Sequence, residues 1–271
     1  MDDVKSLYTT TFQLGKPFSS GGVSEVIQSR NPSFPVGAIV TGETNWEQYT
    51  HVRAADASGF KVVEGARDSK IPIRYWVGAL GMPSFTAYSS LKIIGQPKKG
   101  ETIFISAASG AVGQIVGQLA KLQGLRVIGS AGSDEKVEFL LKELKFDAAF
   151  NYKKGNILEN LRRHAPNGVD IYFDNVGGAQ LEAALEAMNL YGRVIACGHI
   201  SVYNGQEPYG IRNLFHLIGK RITMRGFIVF DFEKDEGENF RREVSEHLLN
   251  GDIIYKEDIT ESLDDAPEAF V

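Results

Sequence analysis

The stretch "SAASGAVGQIVGQLAKLQG" places small residues at a spacing that suits phosphate binding. Ala107, Gly110 and Gly113 form the pattern A-x-x-G-x-x-G, directly after a strand-like run and at the start of a helical one. Glycine lets a pyrophosphate approach the backbone, and the start of a helix offers unpaired N–H donors and positive dipole. Because small residues also serve close packing of a helix on a sheet, the motif has to be weighed with its surroundings.

The surroundings favour a dinucleotide. After Glu101, strand-like runs alternate with amphipathic segments, and there are six of them: "TIFIS", "RVIGS", "DAAFNY", "VDIYFDN", "RVIACG" and "ITMRGFIVF". Such alternation is typical of a parallel sheet with helices on both faces. The sequence therefore predicts an α/β, doubly wound, six-stranded parallel sheet whose glycine turn, including Ala111 and Val112, binds a dinucleotide.

The next βα turn indicates which dinucleotide binds. The strand-like run "RVIGS" continues into Ala131 and Gly132 without the acid that commonly holds the ribose of NAD. Lys136 and the hydroxyl of Ser133 follow at a helix start and suit a 2′-phosphate, which favours NADP(H). Asp134 is interpreted as a first-turn helix acid that faces solvent.

Periodicity predicts the elements that position these residues. One face of the helix after the glycine turn carries Val112, Ile115, Val116, Leu119 and Leu122. Ser133 is the expected N-cap of "DEKVEFLLKEL", "FRREVSEHLLNGDI" is predicted as a helix with a glycine stop, and "IIYKEDIT" as a strand. Between Pro17 and Val52, the pieces "GGVSEVIQSR", "AIVTG" and "WEQYTHV" predict short strands of a small barrel or sandwich.

Composition excludes several function classes. The net charge of −5 provides no basic field for nucleic acid. No stretch approaches the roughly 20 apolar residues of a membrane span, and "MDDVKSLY" lacks the character of a signal peptide, so a cytoplasmic protein is expected. The lone Cys197 rules out an internal disulfide and a four-thiolate zinc site, and the five histidines are scattered, so no metal is expected.

Longer blocks carry a resemblance to a known family, namely "VGALGMPSFTAYSSL", "GETIFISAASGAVGQIVGQLAK", "GSAGSDEKVEFL", "FDAAFNYK", "IYFDNVGG", "GRVIACGHISVYN" and "MRGFIV". The chain resembles the zinc-independent medium-chain dehydrogenase/reductases, in the branch of leukotriene hydroxydehydrogenases, prostaglandin reductases and alkenal double-bond reductases. This resemblance implies a Rossmann-type domain at 86–254 and a smaller GroES-like β lobe at 1–85, to which 255–271 returns. It also implies that the lobe is incomplete, because the chain is shorter than its relatives at both ends.

The resemblance further implies NADPH-dependent reduction of the carbon–carbon double bond of α,β-unsaturated aldehydes and ketones. Met82 and Thr86 would lie beside the nicotinamide, and Lys136 with Tyr152 would hold the 2′-phosphate. The rest of the cofactor groove would comprise Asn175, Cys197, Gly198, Ser201, Phe227 and Val229. Tyr203 would reach ribose and substrate and stabilise the enolate, a role that a ribose hydroxyl could also fill.

Alternatives remain open. Tyr203 could be a loop tyrosine that only caps the cofactor, and Cys197 could be either a reactive thiol or a small buried hydrophobe. The chain could also be an NADPH-binding, redox-sensing protein with impaired catalysis, or a quinone reductase of the same superfamily. A homodimer is implied by the resemblance, through the edge of the "GFIVF" strand.

Overall fold

A computed structural model of the chain describes residues 14–204 and 207–270. These residues form two compact units, one within Met1–Val77 and Lys256–Val271, the other Gly78–Tyr255. Every residue predicted for the site belongs to the second, larger unit.

The smaller unit contains an antiparallel sheet of three strands. They are β1 (Ser19–Glu25), β2 (Ile39–Asn45) and β3 (Lys61–Val62), in that spatial order. The strands predicted in "GGVSEVIQSR" and "AIVTG", and the small β lobe, are confirmed. The strand predicted in "WEQYTHV" is wrong, since the Glu47 N–H turns back to the Asn45 carbonyl at 2.9 Å and Tyr49 is 67% exposed.

The larger unit contains a six-stranded sheet whose neighbouring strands are all parallel. Its strands are β4 (Thr102–Ile105), β5 (Arg126–Ala131), β6 (Ala148–Asn151), β7 (Val169–Asp174), β8 (Met188–Ala196) and β9 (Thr223–Gly226). The spatial order is β6-β5-β4-β7-β8-β9, so the chain reverses direction across the sheet between β4 and β7. The predicted six-stranded Rossmann-type architecture is confirmed, and such a reversal is where α/β sheets bind ligands.

The helices in chain order are α1 (Met82–Ser90), α2 (Gly113–Leu122), α3 (Asp134–Lys142), α4 (Ile157–His164), α5 (Gly178–Ala187), α6 (Phe215–Gly219), α7 (Glu233–Asn250) and α8 (Ala266–Phe270). Ser133 caps α3 and Gly251, with φ of +75°, ends α7, as predicted. None of the helices formed by the described residues combines the length and apolar character that crossing a bilayer requires.

Residues on alternate sides of the strands build two apolar layers. Phe104 lies in register with Ile128 and Tyr172, stacks on Tyr172 at 5.0 Å, and shares a buried core with residues of α4 and α5. Their neighbours Ile103 and Ile105 face the other side, where α2 packs on β4 and β5. Helices therefore cover both faces of the sheet, and because its strands are all parallel, their carboxyl ends lie along one edge.

Two local predictions at the end of the larger unit are wrong. "IIYKEDIT" forms no strand, because the Gln118 side chain takes both the N–H and the carbonyl of Ile254, at 2.9 and 2.8 Å. The run "ITMRGFIVF" leaves the sheet at Gly226 and continues into the single turn Val229–Phe232, so "GFIVF" is not a strand beyond Gly226.

Candidate cofactor site

The glycine turn joins β4 to α2 at the point where the sheet reverses. Ala107 has φ of +47°, and its carbonyl accepts the Gly110 N–H at 3.0 Å. The Ala108 N–H donates to the Ser130 carbonyl at 2.9 Å, which ties the turn to β5. A Cβ on Gly113 would stand 2.6 Å from the Ala107 carbonyl oxygen and 2.7 Å from the Ala108 Cα. Only glycine fits there, because backbone atoms fill the space that a side chain needs.

The first turn of α2 presents unpaired donors. Among the described residues no acceptor bonds the N–H groups of Ala111, Val112 and Gly113, whereas the next N–H, of Gln114, already reaches the Gly110 carbonyl. Gly110 and Ala111 are exposed. A row of free amides at the positive end of a helix is an anion site, so the turn both seats the helix and leaves a cradle for a phosphate.

A second cradle lies where β5 meets α3. The Ser133 Oγ accepts the Lys136 N–H at 3.3 Å. Beside them, a Cβ on Gly132 would meet the Tyr152 ring at 3.4 Å and the Tyr152 hydroxyl at 3.5 Å. The structure thus brings Ser133 and Tyr152 to one glycine at the start of the helix that carries Lys136, and both Lys136 and Tyr152 are exposed.

Asp134, the acid in the first turn of α3, is engaged by the last residue of β6 and by a lysine that follows that strand. Its side chain is 66% exposed, its Oδ1 accepts Asn151 Nδ2 at 2.9 Å, and its Oδ2 pairs with the Lys154 ammonium. The hydrogen bond from Lys154 is the largest of the effects that lower the pKa of Asp134. The negative charge of Asp134 is therefore balanced by the ammonium group of Lys154.

The other end of the groove is held by buried hydrogen bonds. The Ser106 Oγ, fully buried at the end of β4, accepts the Asn175 N–H at 3.0 Å, and the Asn175 side chain donates to the Ser106 carbonyl at 2.7 Å. These bonds lock the ends of β4 and β7 together at the reversal of the sheet. Both the backbone and the side chain of Asn175 are thereby held against Ser106.

Asp174 organises the turn that follows β7. Its Oδ1 accepts the N–H groups of Val176 and Gly177 and the hydroxyl of Tyr172, and its carbonyl accepts the N–H groups of Cys197 and Gly198. Burial raises the pKa of Asp174, against the effect of these donors. Burial, and secondarily the charge of Asp174, raises the pKa of the Cys197 thiol to about 12. Cys197 is therefore a protonated thiol at neutral pH.

Tyr203 stands on the loop after β8. Its hydroxyl oxygen accepts the His199 N–H at 3.0 Å, and a Cβ on Gly198 would lie 3.2 Å from it. The nearby Ser201 hydroxyl donates to the Val176 carbonyl at 2.6 Å, which pins the loop to the turn after β7. Tyr203 is 62% exposed. Because its oxygen accepts a bond from the loop, its own proton stays available for another acceptor.

The remaining predicted residues lie on α1 and after β9. Thr86 is buried and its hydroxyl donates to the Met82 carbonyl at 2.8 Å, so towards a ligand it can only accept. The turn that contains Val229 packs against α1, and Phe227 stacks on Phe232 at 5.7 Å. Within the described chain, no hydrogen bond joins these residues to the glycine turn.

Reasoning from the sequence missed Ser106, Tyr172, Asp174 and His199, which position the predicted residues. The signal for Asp174 was present, since an acid closes the otherwise apolar run "VDIYFD" at the row of carboxyl ends. Ser106 acts through its hydroxyl and carbonyl oxygens and His199 through its backbone N–H, and no residue pattern displays these contacts.

Two family models match the chain. Residues 111–246 match the family described as zinc-binding dehydrogenase, and residues 1–61 match the N-terminal domain of oxidoreductase. Within residues 14–204 and 207–270, His, Cys, Asp and Glu side chains form no group of three or more that could hold a metal ion.

Relatives are similar over nearly all of the chain. The 2-alkenal reductase (NADP(+)-dependent) of Nicotiana tabacum is 45% identical over 272 residues, covering 100% of this chain and 78% of the relative. The (+)-pulegone reductase of Mentha piperita is 44% identical over 259 residues, covering 95% and 74%. The crystal structure of CurA in complex with NADPH from Vibrio vulnificus is similar with a TM-score of 0.85 and 36% identity, covering 99% and 79%.

Proposed function

The chain belongs to the medium-chain dehydrogenase/reductase superfamily, in its branch of NADP-dependent alkenal and enone reductases, and from that premise we propose that it reduces the carbon–carbon double bond of α,β-unsaturated aldehydes and ketones. The observation that carries the proposal is Tyr203, whose hydroxyl is oriented by the His199 N–H and keeps a proton to donate. A fixed donor of this kind suits a reaction in which negative charge grows on a carbonyl oxygen.

The cradles of the larger unit fit NADPH. The free amides of Ala111, Val112 and Gly113 would bind the pyrophosphate, while Lys136 and Tyr152 would bind the 2′-phosphate. The other predicted residues would line the groove towards the nicotinamide, namely Met82, Thr86, Asn175, Cys197, Gly198, Ser201, Phe227 and Val229. When bound, NADPH supplies a hydride.

Tyr203 and Thr86 would act on the substrate and on the nicotinamide. The Tyr203 hydroxyl donates a hydrogen bond to the substrate carbonyl oxygen and stabilises the enolate that forms when the β-carbon is reduced. Thr86, whose proton is engaged by the Met82 carbonyl, can accept from a carboxamide. The proton for the α-carbon would come from solvent, since Tyr203 is 62% exposed and its hydroxyl is assigned to the carbonyl oxygen.

Mixing the protein with NADPH and a short 2-alkenal, and following absorbance at about 340 nm, tests the proposal. We expect alkenal-dependent oxidation of NADPH and much slower oxidation of NADH. Faster turnover of quinones than of alkenals would instead indicate a quinone reductase. Tight NADPH binding without turnover of either class would contradict the catalytic part and favour a sensor.

We also infer the organisation that the resemblance implies. Residues 1–85 and 255–271 would form the catalytic lobe, 86–254 the NADP-binding domain, and the protein would act as a cytoplasmic homodimer. Sedimentation equilibrium measures the subunit count directly, and a monomer at all accessible concentrations would contradict the dimer.

A further inference from the structure

Three lysines surround the start of α3, and their partners differ. Lys154 pairs with Asp134, which also holds Asn151. For Lys136 and Lys153, the part of the chain that the structure describes offers no carboxylate partner, and both are exposed. Two cations without counter-charge therefore flank the turn where a phosphorylated ribose is proposed to bind.

Lys153 is aimed at the same glycine as Tyr152. Its Cε would lie 3.7 Å from a Cβ on Gly132, and its Nζ lies 5.9 Å from the centre of the Tyr152 ring. Backbone bonds fix this arrangement, since the Tyr152 N–H donates to the Ala131 carbonyl at 3.1 Å and the Lys153 N–H donates to Asn151 Oδ1 at 3.1 Å. The side chains of Tyr152 and Lys153 thus both approach the backbone at Gly132, which has no side chain of its own.

We propose that Lys153 is the second cation of the 2′-phosphate site, acting with Lys136 and the Tyr152 hydroxyl. The inference rests on the proposed use of NADPH. A phosphate monoester carries between one and two negative charges at neutral pH, so a single lysine leaves it incompletely neutralised. Two ammonium groups and a phenol supply charge and donors for its oxygens.

Lys154 has a different task in this arrangement. Its ammonium compensates Asp134, the carboxylate in the first turn of α3, which would otherwise repel the phosphate. The two consecutive lysines therefore provide a matched pair, because one is paired with an acid and the other faces the glycine. Of these two lysines, Lys153 is expected to contact the ligand and Lys154 is not.

The test is binding of adenosine 2′,5′-bisphosphate and of 5′-AMP, measured by calorimetry on the full chain. These probes differ only in the 2′-phosphate and contain no nicotinamide, so the readout is independent of turnover. Lys153→Ala should weaken the bisphosphate about tenfold and 5′-AMP by less than about twofold. Lys153→Arg keeps the cation and should restore most of the affinity.

The control is Lys154→Ala combined with Asp134→Asn, which removes the neighbouring lysine together with its partner. Its affinity for the bisphosphate should stay within about twofold of the parent. Equal losses for both probes in Lys153→Ala, no loss at all, or a loss in the control as large as in Lys153→Ala would overturn the assignment. If the parent protein itself fails to distinguish the probes, the phosphorylated cofactor of the proposed function fails instead.

Discussion

The two ends of the proposed groove are built on opposite principles. At the phosphate end, Lys136, Tyr152 and Lys153 are exposed, and they are held mainly by their backbone. At the nicotinamide end, Ser106 is buried and Asn175 half-buried, both neutral and engaged in hydrogen bonds of 2.7 to 3.0 Å. The phosphate end offers exposed cationic side chains on a fixed backbone, and the nicotinamide end offers neutral side chains that are themselves held by hydrogen bonds.

This difference predicts that the phosphate end controls the affinity for the cofactor and that the nicotinamide end controls the rate of the reaction. Exposed charges are worth little each and are screened by salt, so a phosphate end of this kind sets selectivity between cofactors through the sum of several contacts. Donors and acceptors that are fixed beforehand reorganise little during a reaction, and such groups lower barriers. Changes at the buried end should therefore act on chemistry, and changes at the exposed end on binding.

The largest expected effect concerns the thiol of Cys197 at the buried end. A pKa of about 12 leaves a thiolate fraction near 10⁻⁴ at pH 8, so alkylation by iodoacetamide should be about 10³-fold slower than for a free thiol. The rate should rise as pH approaches the pKa. Since Cys197 is the single cysteine, intact-mass spectrometry reads the reaction directly. Equal rates in folded and urea-unfolded protein would show that the buried end is open.

The glycine turn between the two ends should respond next most strongly. Gly113→Ala forces a Cβ into backbone atoms at 2.6 to 2.8 Å, so it should weaken NADPH about 10²-fold and lower the free energy of unfolding by about 1–3 kcal/mol. Calorimetry and urea unfolding measure the two effects.

Gly117→Ala is the matched control for that turn. It places a Cβ against the Phe146 ring, on the part of α2 that packs on the sheet. It should destabilise the fold while leaving the affinity for NADPH within about twofold. A loss of affinity as large as in Gly113→Ala would mean that general destabilisation, and not the turn, governs binding.

The regular parts of the larger unit were predictable from the sequence because one periodicity dominates each of them. The structure of the six apolar runs and of the Ser133 cap can be predicted from neighbouring residues alone. The strand expected in "IIYKEDIT" fails because a distant side chain, Gln118, takes the backbone bonds of Ile254. A contact across 136 residues leaves no trace in local pattern.

The sequence predicts the residue types of the proposed site but not the contacts that hold them. Spacing located the glycine turn, and the missing acid after β5 pointed to Lys136, whereas the compensation of Asp134 by Lys154 depends on the turn after β6. Likewise, the proton of Thr86 is engaged by its own helix, which no spacing reveals. Hydrogen-bond direction is a property of the folded backbone.

Tyr203→Phe should separate rate from affinity. Loss of the hydroxyl removes the proposed donor to the carbonyl oxygen, so kcat for a 2-alkenal should fall about 10²-fold, with a much smaller change in the Kd for NADPH. Steady-state kinetics at saturating cofactor, with a parallel titration of NADPH, measures both. An unchanged kcat would leave Tyr203 as a cap on the cofactor and assign the donor role elsewhere.

Lys136→Ala should give the smallest effect, and one confined to binding. A charge-assisted contact to a phosphate is worth about 1.5–3 kcal/mol, and the exposure of Lys136 places it at the low end, so KM for NADPH should rise about tenfold while KM for NADH barely moves. Because exposed charges are screened, raising the ionic strength should weaken NADPH binding less in the variant than in the parent. Equal losses for NADPH and NADH would show that the 2′-phosphate does not bind at Lys136. The exposed end would then have no role in selecting the cofactor.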